Sequence, residues 1–136
     1  MRENIGLYRG KRIRNDEWAI GNLLMFPDLA SYICCPDADE SETMNKYSVD
    51  PETVGECSGI LDKANVFIFE GDILKITYLC QKPVTAVVEF TNGKFTARYT
   101  RNGKEHIDNL TATASSLYKV IGNIHDNPEL LGGNSP

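Results

Sequence analysis

A chain of 136 residues, 41% of them apolar and 9% aromatic, can remove roughly 68–70% of its unfolded surface from water on folding. That supports a core without metals or disulfides and excludes wholesale disorder. A formal net charge of -5 argues against a dedicated nucleic-acid binder. No apolar h-region follows Met1 and no apolar run reaches bilayer length. Cys34 and Cys35 are adjacent, with Cys57 and Cys80 the other cysteines. The expectation is therefore a cytoplasmic protein with reduced thiols and no membrane contact.

The charge is unevenly spread. Asp37, Asp39, Glu40, Glu42, Asp50 and Glu52 face Lys46 alone, and that stretch accounts for the whole imbalance. Residues 73–105 lean the other way, with Lys75, Lys82, Lys94, Arg98, Arg101 and Lys104 against Glu89 and Glu105.

Taken in order, residues 9–16 read as a polar turn and residues 17–26 as a strand interrupted by Gly21. Residues 29–35 form a second short strand bracketed by Pro27 and Pro36. The acidic stretch 36–51 has few apolar anchors, chiefly Met44, Tyr47 and Val49, and reads as a long loop or short solvated helix. It is either a plain connector or an electrostatic bait for a basic partner. Residues 72–80 are rich in Ile, Leu, Thr and Tyr, suiting a buried strand, in which Cys80 would be a small core residue.

The clearest signal is Asn92-Gly93, the residue pair preferred where both central positions of a hairpin turn need positive φ. A two-residue turn there pairs Thr91 with Lys94, Phe90 with Phe95, Val88 with Ala97 and Ala86 with Tyr99. The last three pairs put apolar side chains on one face and leave Glu89 and Arg98 on the other. Asn102-Gly103 repeats the turn and extends the meander through residues 105–110. Residues 111–116 are a connector or one helical turn, and 117–124 a final strand. Asn127-Pro128-Glu129 opens a terminal helical turn, before a flexible tail at 132–136. Four or five short strands within 66–125, joined by tight turns, suit a small antiparallel barrel or rolled sheet. The fold class is mainly β, divided into N-terminal strands with the acidic loop (1–52), a barrel core (53–131) and the tail.

Ordered motifs along the chain resemble the YopX family of bacteriophage and prophage proteins. They are Asp50-Pro51-Glu52-Thr53-Val54-Gly55 with Ser58-Gly59-Ile60, then Ile68-Phe69-Glu70-Gly71-Asp72-Ile73. Val120-Ile121-Gly122-Asn123-Ile124-His125-Asp126-Asn127-Pro128-Glu129-Leu130-Leu131 closes the series. Tyr8-Arg9-Gly10-Lys11-Arg12 and Glu17-Trp18 through Gly21-Asn22-Leu23-Leu24 look like the family's opening segment. Two departures stand out. Asp62-Lys63-Ala64-Asn65 replaces the family's Asn-Gly turn, and His125 stands where a tyrosine is usual. The resemblance implies a phage-derived cytoplasmic protein with an SH3-like β-barrel, and it brings no biochemical activity with it.

Chemistry-bearing residues are sparse. Glu70 and Asp72 could pair for acid–base work or a divalent cation. The structural reading is stronger: Gly71 supplies an unusual φ and Asp72 bonds backbone amides at the strand entrance. Cys34, Cys35, Cys57 and His125 lack close zinc-ligand spacing. His125-Asp126 stands without a nucleophile elbow, and no phosphate loop is present. No metal, cofactor or catalysis is expected. A binding surface from Lys94, Arg98, Arg101 and Lys104 with Tyr78 and Tyr99 would suit nucleic acid, but the hairpin register turns Tyr99 and Arg98 to opposite faces. Trp18 is either a core anchor or an interface residue. The chain thus reads as a non-enzymatic module for an unidentified phage or host protein, able to form homo-oligomers through strand edges. A nucleic-acid module is the alternative.

Overall fold

A computed structural model describes residues 7–28, 30–36 and 44–132. The chain divides into two compact units, Met1–Cys57 and Ser58–Pro136, both built of antiparallel sheet.

In the first unit, β1 (Tyr8–Lys11), β2 (Trp18–Met25), β3 (Ser31–Pro36) and β4 (Met44–Val49) follow one another as a meander, and Gly55 and Glu56, at the start of β5 (Gly55–Leu61), pair with the free side of β1. Successive side chains of a strand point to opposite faces. Ala19 therefore packs inward with buried Ile33 and Val49, joined by Tyr8, Leu23, Tyr47 and Val54. β2 runs through Gly21 without the expected interruption. Glycine is needed there for proximity, since a Cβ would run into the Cys34 carbonyl on β3.

The acidic stretch also departs from its reading as loop or helix. Residues 37–43 lie outside the described residues, but β4 pairs with β3, placing Val49 opposite Ser31 and Tyr47 opposite Ile33. Two inward side chains at period two are enough to make a strand of a mostly polar segment. The sheet then curls, so that Val49 bridges Arg12 beyond β1. Asp50 next caps a 3-10 turn, Pro51–Thr53, its Oδ1 accepting from Glu52 N at 3.0 Å.

In the second unit, β6 (Phe67–Phe69) bonds to β5, whose residues from Ser58 onward lie in this unit. β7 (Asp72–Ile76), β8 (Val84–Thr91), β9 (Lys94–Arg101), β10 (Lys104–Asn109) and β11 (Tyr118–Asn123) form one sheet in the order β10-β9-β8-β7-β11. A 3-10 turn, Ala112–Leu117, precedes β11, and α1 (Glu129–Gly132) follows it. β6 adds a strand to the four or five expected; at three residues it is too short for periodicity to reveal.

The hairpin pairs as its turn chemistry requires: Thr91 with Lys94, Phe90 with Phe95 and Val88 with Ala97. Asn92 (φ 54°) and Asn102 (φ 55°) both occupy the left-handed region. Leu74, Ile76, Ala86, Val88, Ala97 and Tyr118 build the core on one face. Cys80 is not in it. β7 ends at Ile76, and Cys80 sits exposed in the following loop with φ 62°. Among the described residues neither sheet closes on itself.

Candidate binding surfaces

The inward packing of Ala19 on β2 turns Trp18, Ile20, Asn22 and Leu24 to the outer face of the first unit. Ile20 is 49% and Leu24 41% exposed. Phe26, just past the strand, is 41% exposed and stands edge-on to Tyr32 at 5.6 Å between ring centroids. Tyr32 lies opposite Leu24. An apolar and aromatic row, broken by Asn22, thus runs along β2 at period two.

Cations border this row. Arg9 Cζ lies 4.7 Å and Lys11 Nζ 5.9 Å from the Trp18 ring, and Lys46 Nζ is 4.7 Å from Tyr32. Each contact lets the ring's negative face attract the charge, by about 0.5–1 kcal/mol at exposed sites. Trp18 is accordingly half-buried beneath bases on the sheet face rather than sunk in the core. On the opposite face of β3, the Cys35 thiol donates to the Ile20 carbonyl at 3.0 Å, and burial pushes its pKa up. Cys34, its neighbour, points the other way. No cluster of His, Cys, Asp or Glu suited to a metal occurs among the described residues.

In the second unit, directly opposed residues of β9 and β10 share a face: Ala97 with Asp108, Tyr99 with His106, Arg101 with Lys104. Toward the Asn102-Gly103 turn the core face thus grades from apolar to aromatic to cationic. Tyr78, in the loop after β7, and Tyr99 both donate to Asp108 Oδ2, at 2.5 and 2.9 Å. Burial, and then donation to this carboxylate, push both phenols above the ordinary tyrosine range. They are fixed donors. His106 stacks on Tyr99 at 5.2 Å, and Arg101 reaches the Lys82 carbonyl at 3.3 Å. Beside this corner the β7–β8 loop and Leu117 line an open groove of about 640 Å³, whose rim residue Leu79 is 87% exposed.

The four bases singled out in the sequence are split. Arg101 and Lys104 stand together on the core face, whereas Lys94 and Arg98 are on the other. Arg98 is also committed to Glu89, through its Nη2 at 2.9 Å and its Nε at 3.1 and 3.2 Å, with Glu105 at 3.7 Å. Hydrogen bonding to Glu89 is the main reason its pKa is raised.

A family model described as YopX protein matches residues 7–132. The chain belongs to the YopX family. The crystal structure of protein EF1440 from Enterococcus faecalis is similar over 93% of this chain and 99% of its own, with a TM-score of 0.55 and 22% identity. That likeness concerns the fold. Among curated proteins nothing matches.

The YopX motif residues turn out to hold backbone. Thr53 Oγ1 accepts from Lys11 N at 2.8 Å and donates to the Asp50 carbonyl at 2.7 Å. Asp72 is buried and accepts from Phe69 N at 2.8 Å, while Gly71 adopts φ 91°. Asn123 Oδ1 accepts from His125 N and Asp126 N, and the Asn127 carbonyl accepts from Leu130 N in the first turn of α1.

One residue escaped the sequence reading. Asp62 is buried, its Oδ1 accepting from Ala64 N at 2.8 Å and Val66 N at 2.9 Å, its Oδ2 from Val120 N at 3.0 Å. Burial alone would raise its pKa. The backbone donors from Val120, Val66 and Ala64 outweigh that and hold the carboxyl below the usual range. The turn that departs from the family's Asn-Gly is closed instead by this side chain, with Asn65 at φ 64°. Its only sequence signal is an Asp placed to bond its own backbone two residues on.

Proposed function

We infer that this YopX-family protein is a non-enzymatic binding module that docks another protein on the outer face of β2. One observation carries the reading: Ile20, Leu24 and Phe26 stand exposed in a row with Trp18 and Tyr32 on one sheet face. Exposed apolar surface gathered on one face of a folded domain marks an interaction site, and aromatic anchors dominate such interfaces. With Arg9, Lys11 and Lys46 at its border, the face suits an apolar segment flanked by carboxylates. The partner is a phage or host protein met in the bacterial cytoplasm, as the family's lineage implies. Among the described residues no helix is long and apolar enough to cross a membrane. The second unit serves as the SH3-like module of the resemblance, a reading supported by its tight-turned meander. The phenols of Tyr78 and Tyr99 are spent on Asp108, which favours support over catalysis.

Selection of a displayed peptide library on the whole chain tests this. Apolar ligands with acidic flanks are expected. Ile20→Glu with Leu24→Glu should weaken them by about 30-fold or more, since buried anchors carry most of such binding energy, while Arg98→Ala should leave them unchanged. Ligands held equally by the double variant overturn the reading.

A second reading rests on the cation–ring pairs, because bases stack on such rings beside a positive border. Salt-dependent capture of a single-stranded oligonucleotide, lost in Lys46→Ala, would favour it over protein docking.

A further inference from the structure

The two-residue Asn102-Gly103 turn makes Arg101 and Lys104 a hydrogen-bonded pair. In an antiparallel ladder such pairs alternate, so Lys104, His106 and Asp108 direct their N–H and C=O groups at β9. The Leu110 N–H bond to the Phe95 carbonyl, at 3.0 Å, continues the same even series. Glu105, Ile107 and Asn109 therefore turn their N–H and C=O groups outward. β10 is the end strand of its sheet, and among the described residues no backbone partner meets these three.

The geometry points to a second copy of this chain as the occupant of that edge, pairing β10 with β10 in antiparallel fashion about a two-fold axis at Ile107. The register follows from the side chains. Centred on Ile107, every outward N–H and C=O of the three residues finds a partner: Ile107 pairs with its own copy, and Glu105 with Asn109. Ile107, 59% exposed in the single chain, then meets an identical apolar side chain. On the other face His106 stands opposite Asp108 of the second copy, with Lys104 diagonal to it. Asp108 is suited to this contact. Both phenols bond its Oδ2, and its Oδ1 has no partner among the described residues. Other registers are worse. Centring on His106 sets Glu105 against Ile107, and centring on Glu105 opposes like charges. Charged residues commonly blunt an exposed edge against pairing; here the charges are complementary to themselves, so they select one partner. An isologous contact of this kind closes at two copies and does not propagate.

Sedimentation equilibrium of the whole chain across a range of concentrations tests the pairing. The apparent mass should rise from one chain toward two, and Ile107→Lys should hold it at one chain with an unchanged circular dichroism spectrum. Register is read by crosslinking. Hydrogen-bonded antiparallel partners lie about 5.5 Å apart at Cα, within the roughly 4.4–6.8 Å that a disulfide spans. Under mild oxidation Ile107→Cys should therefore yield a covalent dimer above the background of the native protein, and Glu105→Cys should not. A chain that stays single at every concentration overturns the inference. So does a dimer indifferent to Ile107→Lys, or one that crosslinks through Glu105→Cys instead.

Discussion

β10 and β11 bound the same five-stranded sheet, and they end it in different ways. Along β11 the outer side is occupied: Val120 N donates to Asp62 Oδ2, and the Tyr118 carbonyl accepts from Lys63 N at 2.9 Å. Along β10, Glu105, Ile107 and Asn109 offer a ladder that nothing among the described residues takes up. A sheet margin needs its backbone groups satisfied or solvated. One buried carboxylate and the neighbouring Lys63 amide do this for β11 from within the chain, while β10 leaves its groups to solvent or to another molecule. The contrast separates an edge built for stability from one built for assembly.

Removing the carboxylate should produce the largest effect. Asp62→Ala strips charge-assisted bonds from Ala64, Val66 and Val120, leaving buried donors unmatched, and should cost about 3 kcal/mol in urea unfolding. The same group gives an acid dependence. Its folded pKa lies below its unfolded value, so its stabilising contribution is complete well above about pH 4. That contribution is lost as pH falls through the folded value. The stability gap between the native protein and Asp62→Asn, wide at neutral pH, should narrow in acid.

Next comes the phenol pair that steadies Asp108 behind the open edge. Tyr78→Phe should cost about 1–1.5 kcal/mol. Because both phenol pKa values are raised, their stabilisation holds below about pH 10 and disappears as pH climbs through the folded values. Ultraviolet titration should show Tyr78 and Tyr99 ionising above the ordinary tyrosine range, or together with alkaline unfolding. Asn102→Ala, forcing alanine into a left-handed turn, should cost about 1 kcal/mol. Smallest of all, Ile107→Lys should alter the unfolding free energy of the single chain by less than about 0.5 kcal/mol. A larger loss would mean that the β10 edge serves stability after all.

What could be read from the residues follows the range of the forces involved. The β8–β9 hairpin was legible because Asn92-Gly93 and the flanking alternation lie within a few residues of each other. The Asp62 clamp was not, since its partner Val120 is 58 positions away. β4 was hidden by its acidic surroundings, with only Tyr47 and Val49 facing inward. Cys80 was misplaced because β-rich composition continues past Ile76, where the strand stops. On β2 both faces carry apolar side chains, a pattern that reads as burial on both sides. Only the arrangement of the sheet shows that Ile20 and Leu24 remain in water.

The bond between Asp62 and Val120 also constrains how the second unit is made. A ribosome delivers β7 through β10 well before β11, so a growing chain carries an Asp62 carboxylate with one of its oxygens waiting. Local hairpins can form early at little entropic cost, whereas the clamp must await a strand synthesised dozens of residues later. Completion of this sheet is thus a late step, timed by the arrival of Val120.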